Sequence, residues 1–87
     1  MDEKKKDELS KAIMGAAMMD LMQQQPQDGL YTLMSCSLQV TDEALVLSVP
    51  QKMLHLVEPK DSQVRTAMQK AASASGVGDK PLVLRGF

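Results

Sequence analysis

"SLQVTDEALVLSV", residues 37–49, decides how this 87-residue chain can fold. Leu38 and Val40 alternate with polar neighbours, "TDE" interrupts, and Leu45, Leu47 and Val49 then alternate with Val46 and Ser48. Side chains of a strand point to opposite faces in turn, so apolar residues at a period of two mark strands with one face turned to a core. The polar interruption has room only for a tight turn, which makes the segment a β-hairpin, and Pro50 closes its second strand. A lone hairpin is marginally stable in water, so the rest of the chain must cover its apolar face.

The flanking segments supply that cover. Upstream, the spacing predicts a helix from Asp7 to Gln24, capped by Asp7 or Ser10, with residues 1–7 as a frayed, mixed-charge lead-in. Leu9, Ile13, Ala16 and Ala17 form one stripe, while Met14, Met18, Leu21 and Met22 carry apolar surface round to the opposite side. Pro26 and Gly29 end this helix, and "DGLYTLMSC" predicts a short second one with Leu30, Leu33 and Met34 on a shared face. Downstream, "QKMLHLVEP" makes two helical turns before Pro59. Asp61 or Ser62 then caps a helix over 61–74, with Val64, Ala67, Met68, Ala71 and Ala72 as a one-sided stripe. "SGVGD" is a helix C-cap and turn, and residues 81–85 of "KPLVLRGF" form the last strand, with Leu82 and Leu84 on one face. The expectation is a single α+β domain over 1–87, in the order α-α-β-β-α-β. Its three-stranded sheet has helices on one face, and Gln39, Ser48 and Arg85 make the other face wetter.

Composition narrows the function classes. Apolar residues are 44% of the chain, enough for a folded core, yet one Phe, one Tyr and no Trp leave that core to Leu, Val, Met and Ala. A formal charge of −1 argues against a protein that mainly grips phosphates. A single cysteine excludes an internal disulfide framework, and one His with one Cys does not make a metal site. With neither a membrane-length apolar run nor an apolar signal segment near the start, a cytoplasmic location is expected, with no membrane partner.

Catalytic patterns do not emerge. His55 lies in the apolar run "MLHLV", with no Ser or Cys in motif spacing to form a nucleophile–base pair. Cys36 sits between two serines with no basic neighbour to activate it. The loop "SGVGDK" lacks both the spacing and the Lys-Ser/Thr pair of a phosphate-binding loop. Carboxylates are scattered, so no enzyme activity and no cofactor are expected. Basic residues gather weakly at Lys52, Lys60, Arg65, Lys70, Lys80 and Arg85, as on a solvated helix face, and aromatic platforms for stacking bases are lacking.

From Gly29 onward, "LMSCSLQV", "TDEALVLSV", "PQKMLHLVE", a helix leading to Gly76 and the strand "PLVLR" resemble a known family. It is the small domain near the C-terminus of the tau subunit of bacterial DNA polymerase III, a clamp-loader component. The order of elements is also similar to the N-terminal domain of the bacterial replication initiator and to a helicase-loading family with a related K-homology-like fold. The resemblance implies a K-homology-like, non-enzymatic docking domain of the replication machinery, either free-standing or a fragment of a larger subunit. It would tether the clamp loader to a polymerase or helicase subunit. The alternative is a small K-homology-like nucleic-acid-binding domain. That class carries a G-x-x-G loop between two helices, whereas Gly76 and Gly78 stand in G-x-G spacing before a strand. The expected partner-binding residues are Met18, Met19, Met22, Lys52 and His55. The methionines form either a contact surface, for a partner or for self-association, or an internal layer covered by the short helix.

Overall fold

Residues 2–87 are described by a computed structural model, in which the hairpin segment forms β1 (Ser37–Val40) and β2 (Leu45–Val49). The two strands pair antiparallel, with Ser37 opposite Ser48 and Val40 opposite Leu45. Asp42 and Glu43 make the turn. Its closure rests on Thr41, whose N–H donates to the Ala44 carbonyl at 2.9 Å and whose Oγ1 accepts from the Ala44 N–H at 2.9 Å. Tight hairpin turns usually need positive φ, which no residue other than glycine adopts among those described. The threonine hydroxyl supplies a different closure, and Lys80 Nζ adds a 2.6 Å hydrogen bond to the Asp42 carbonyl.

The third strand, β3 (Leu82–Gly86), joins β2 in parallel, so the sheet order is β1-β2-β3 with β2 in the middle. A parallel neighbour requires a crossover. Here the crossover contains a 3₁₀ turn (Gln51–Met53), a single-turn helix and a longer helix, Gln63–Ala74. In chain order the helices are α1 (Glu3–Met22), α2 (Asp28–Met34), α3 (Leu54–Val57) and α4 (Gln63–Ala74). The architecture is therefore α+β, with the helices layered on a small mixed sheet. Leu45, Leu47 and Val49 are buried on the covered face, while Gln39, Val83 and Arg85 lie exposed on the other. Ile13, Ala17 and Leu21 of α1 meet the Val64, Ala67, Met68, Ala71 and Ala72 stripe of α4 in one core cluster.

Several boundaries differ from the sequence expectation. Helix α1 starts at Glu3 rather than Asp7, so residues 3–7 are its first turns and not a frayed lead-in; Met1 lies outside the described residues. The cap is Asp2, whose carboxylate accepts from the Lys5 N–H at 2.7 Å. Ser10 does not cap, because its hydroxyl donates to the Leu38 carbonyl at 2.6 Å and ties α1 to β1. Lys6 bridges the Glu3 carboxylate at 3.4 Å and the Asp42 carboxylate at 3.5 Å. At its other end α1 stops at Met22, where the Gln27 amide donates to the Met22 carbonyl at 2.9 Å. The buried stripe runs Ile13, Ala17, Leu21; Ala16 is exposed. Helix α4 begins at Gln63 with Ser62 at its N-cap position, and β3 sits one residue later than the expected 81–85.

The "SGVGD" loop is the helix C-cap that its glycines suggest. Gly76 has φ +83°, its N–H donates to the Ser73 carbonyl, and the Val77 N–H reaches back to the Ala72 carbonyl at 3.0 Å. This is a Schellman ending, and Val77 adds the buried apolar contact that accompanies it. Gly78 answers to a different constraint: a Cβ there would stand 2.7 Å from the Ser73 Cα. Gly76→Ala is expected to cost roughly 1–2 kcal/mol from its left-handed backbone. Gly78→Ala should cost more, because the loop must move off α4. Thermal melts of the two variants check the order.

Candidate functional site

Helix α1 presents the methionine cluster on two sides. Met14 and Met18 turn inward and pack against the core cluster, whereas Met19 and Met22 are 64% and 55% exposed. Neither of the two expected arrangements holds for all three methionines: Met18 packs partly buried against the core, while Met19 and Met22 stay exposed. The physical reason is helical phase: at about 100° per residue Met14 and Met18 stand within about 100° of the middle of the Ile13–Ala17–Leu21 stripe, while Met22 and Met19 stand about 140° and about 160° round from it. The fully buried methionine is Met68 of α4, outside the cluster altogether.

Helix α2 packs on α1 and adds to the exposed apolar surface. Its Gly29, Thr32 and Leu33 are buried, and Leu30 packs against the core. Met34, expected to share that buried face, is 62% exposed, and Tyr31 is 63% exposed. A seven-residue helix can press only one narrow stripe inward, and Gly29–Thr32–Leu33 fills it.

Lys52 and His55 are exposed, but they lie on the 3₁₀ turn and on α3. That segment packs on itself and on α4. The five expected partner-binding residues are thus not one site. Met19 and Met22 share a helix face, Met18 packs partly buried against the core, and Lys52 and His55 stand on a separate segment. Alternation within β3 could have flagged exposed Val83; for exposed Leu56, inside the run "MLHLV", no spacing rule did so.

Three groups that could carry chemistry have identifiable surroundings. Cys36 is half-buried, its thiol 3.2 Å from the Thr32 carbonyl it donates to, and burial pushes it up from 9.0 to about 11. Ser62 lines a cavity of about 190 Å³ with Asp28, Gly29, Thr32, Leu56, Gln63 and Val64. Its hydroxyl is buried with no hydrogen-bond partner among the described residues, although it occupies the N-cap position of α4. The Thr32 hydroxyl beside it donates to the Asp28 carbonyl at 2.9 Å. Lys6 is raised: burial lowers it, but the Glu3 and Asp42 carboxylates together outweigh that effect. Among the described residues no group of His, Cys, Asp and Glu is placed to hold a metal ion, and no helix is long and apolar enough to cross a membrane.

Two measurements check these assignments. At pH 8 the Cys36 thiol should alkylate roughly 100-fold more slowly than in the urea-unfolded chain, since two pH units separate their thiolate populations. Because the protonated thiol is the form the fold favours, its contribution to stability is complete below pH 9.0 and is lost as pH rises through about 11. Ser62→Ala, which at an ordinary N-cap costs about 1 kcal/mol, should leave the melting temperature unchanged or raise it, because the buried hydroxyl caps nothing.

No family model matches the chain, and no curated protein and no solved structure matches it.

Proposed function

We propose that the chain is a non-catalytic protein–protein docking domain of the bacterial replication machinery. It would tether the polymerase III clamp loader to a polymerase or helicase subunit through the helical face bearing Met19, Met22, Tyr31 and Met34. One observation carries this reading: four large apolar side chains, each more than half exposed, stand on two helices that pack on one another. Solvent-exposed apolar side chains gathered this way on a small domain mark contact sites, and flexible methionines adapt to a partner's shape. The replication assignment rests on the resemblance of residues 29 onward to the tau-subunit domain. The order of helices and strands is compatible with it.

The nucleic-acid alternative gains no specific support. Lys70 lies 3.6 Å from the Asp20 carboxylate, Arg65 donates to the Glu58 carbonyl at 2.6 Å, and Lys80 holds the hairpin turn. Three of the basic residues that would grip phosphates thus already have protein partners.

The test is binding of the chain to purified polymerase III catalytic subunit and to replicative helicase. The double variant Met19→Lys/Met22→Lys should weaken binding at least about tenfold with an unchanged melting temperature. Met18→Lys should instead lower stability by roughly 1–3 kcal/mol, because its side chain packs on the core. Binding to neither protein, or binding indifferent to the double variant, overturns the proposal. Oligonucleotide binding that falls steeply with salt would establish the alternative.

A further inference from the structure

The two edges of the sheet are guarded unequally. Within a strand, N–H and C=O groups of one residue point together and alternate sides along the chain. In β1, Thr41 pairs with Ala44 across the hairpin, so the groups of Leu38 and Val40 point outward. There α1 lies alongside β1, and the Ser10 hydroxyl occupies the Leu38 carbonyl. In β3, the Pro81 carbonyl accepts from Leu45 and the Phe87 N–H donates to Val49, so the groups of Leu82, Leu84 and Gly86 point outward. No hydrogen bond from the described residues reaches them, and no helix lies along β3 as α1 lies along β1.

This edge also lacks the devices that keep strands from pairing. Proteins protect edges with lysines, prolines, bulges or a covering element. Strand β3 has one charge, Arg85, and its only neighbouring proline, Pro81, precedes the strand. Val83 and Phe87 are 45% and 68% exposed, and Leu82 and Leu84 remain half-buried although they face the helical layer.

We propose that the β3 edge pairs antiparallel with β3 of a second copy of this chain, about a two-fold axis at Leu84. The register is self-complementary. It places Leu84 opposite the partner's Leu84, and Leu82 opposite the partner's Gly86, over which the Gln51 side chain of that same copy packs, 3.0 Å from where a Cβ would stand. On the open face Val83 stands opposite the partner's Arg85, so an aliphatic stem lies on valine and the two arginines do not face each other. The union makes one continuous sheet whose outer edges are both β1, each guarded by α1. Assembly therefore stops at two copies, as an isologous contact requires. The inference stands apart from the helical docking face and does not depend on it.

Sedimentation equilibrium over concentrations up to about 1 mM tests it, with substitutions at Val83, on the open face and away from the core. Val83→Glu places a carboxylate opposite the partner's Arg85 twice by symmetry and should tighten the dimer by about three- to tenfold. Val83→Lys places like charges there and should weaken it by a similar factor; Val83→Lys/Arg85→Glu should restore it. In the unaltered chain, amide exchange at Leu82, Leu84 and Gly86 should slow with rising concentration while Val40 does not. A monomer at every concentration, or a dimer indifferent to both Val83 substitutions, overturns the proposal.

Discussion

The two-sided pairing of β2 is the constraint on which the rest depends. Its Leu45, Leu47 and Val49 are essentially inaccessible to solvent, and each such side chain contributes roughly 1.5–3 kcal/mol by leaving water. A shift of one residue in register would turn all three to the open face, so the hairpin cannot slip without dissolving the core. Everything that touches the turn reinforces that register. Thr41 closes it, Lys80 holds its carbonyl from the approach to β3, and Lys6 meets Asp42 from the first turns of α1. Exposed ion pairs contribute little individually, so the Lys6 bridge orients the helix more than it stabilises it.

Over this sheet, small residues set the depth of the helical layer. Ala17 of α1 and Ala67, Ala71 and Ala72 of α4 are buried in the common core, and such short side chains let two helices come close. Larger residues fill what remains: Ile13, Leu21 and Met68 are among the fully buried side chains. With so few aromatic residues, the core relies on many moderate aliphatic contacts. Three helix ends carry explicit terminations, Asp2 at the start of α1, the Gln27 amide at its end and the Gly76 Schellman motif after α4, whereas the starts of α2, α3 and α4 have no side-chain cap.

The exposed apolar surface proposed for docking emerges from what this packing leaves over. Helix α1 has more apolar residues than one buried stripe can absorb, and α2 is too short to cover the surplus. Met19, Met22, Tyr31 and Met34 therefore stay in contact with water. The one thiol, by contrast, is half-buried, and that burial pushes it up to about 11, away from the thiolate form.

Local patterns sufficed for the elements: the alternation in 37–49, the stripe from Val64 to Ala72 and the glycines after Ser75 each specify their own structure through short-range geometry. They could not specify where α1 begins, because Asp2, Asp7 and Ser10 are all competent caps. Only the fold shows that Ser10 is engaged by the Leu38 carbonyl. They could not separate Met18 from Met19 and Met22 either. An apolar helix has no phase of its own, and the sheet and α4 select which side is pressed inward. Nor could they settle that β3 lies beside β2 and in parallel, leaving its own edge bare. Strand alternation gives each strand an inner face, but neighbours and direction are long-range choices made by the crossover and by α1, which already occupies the flank of β1.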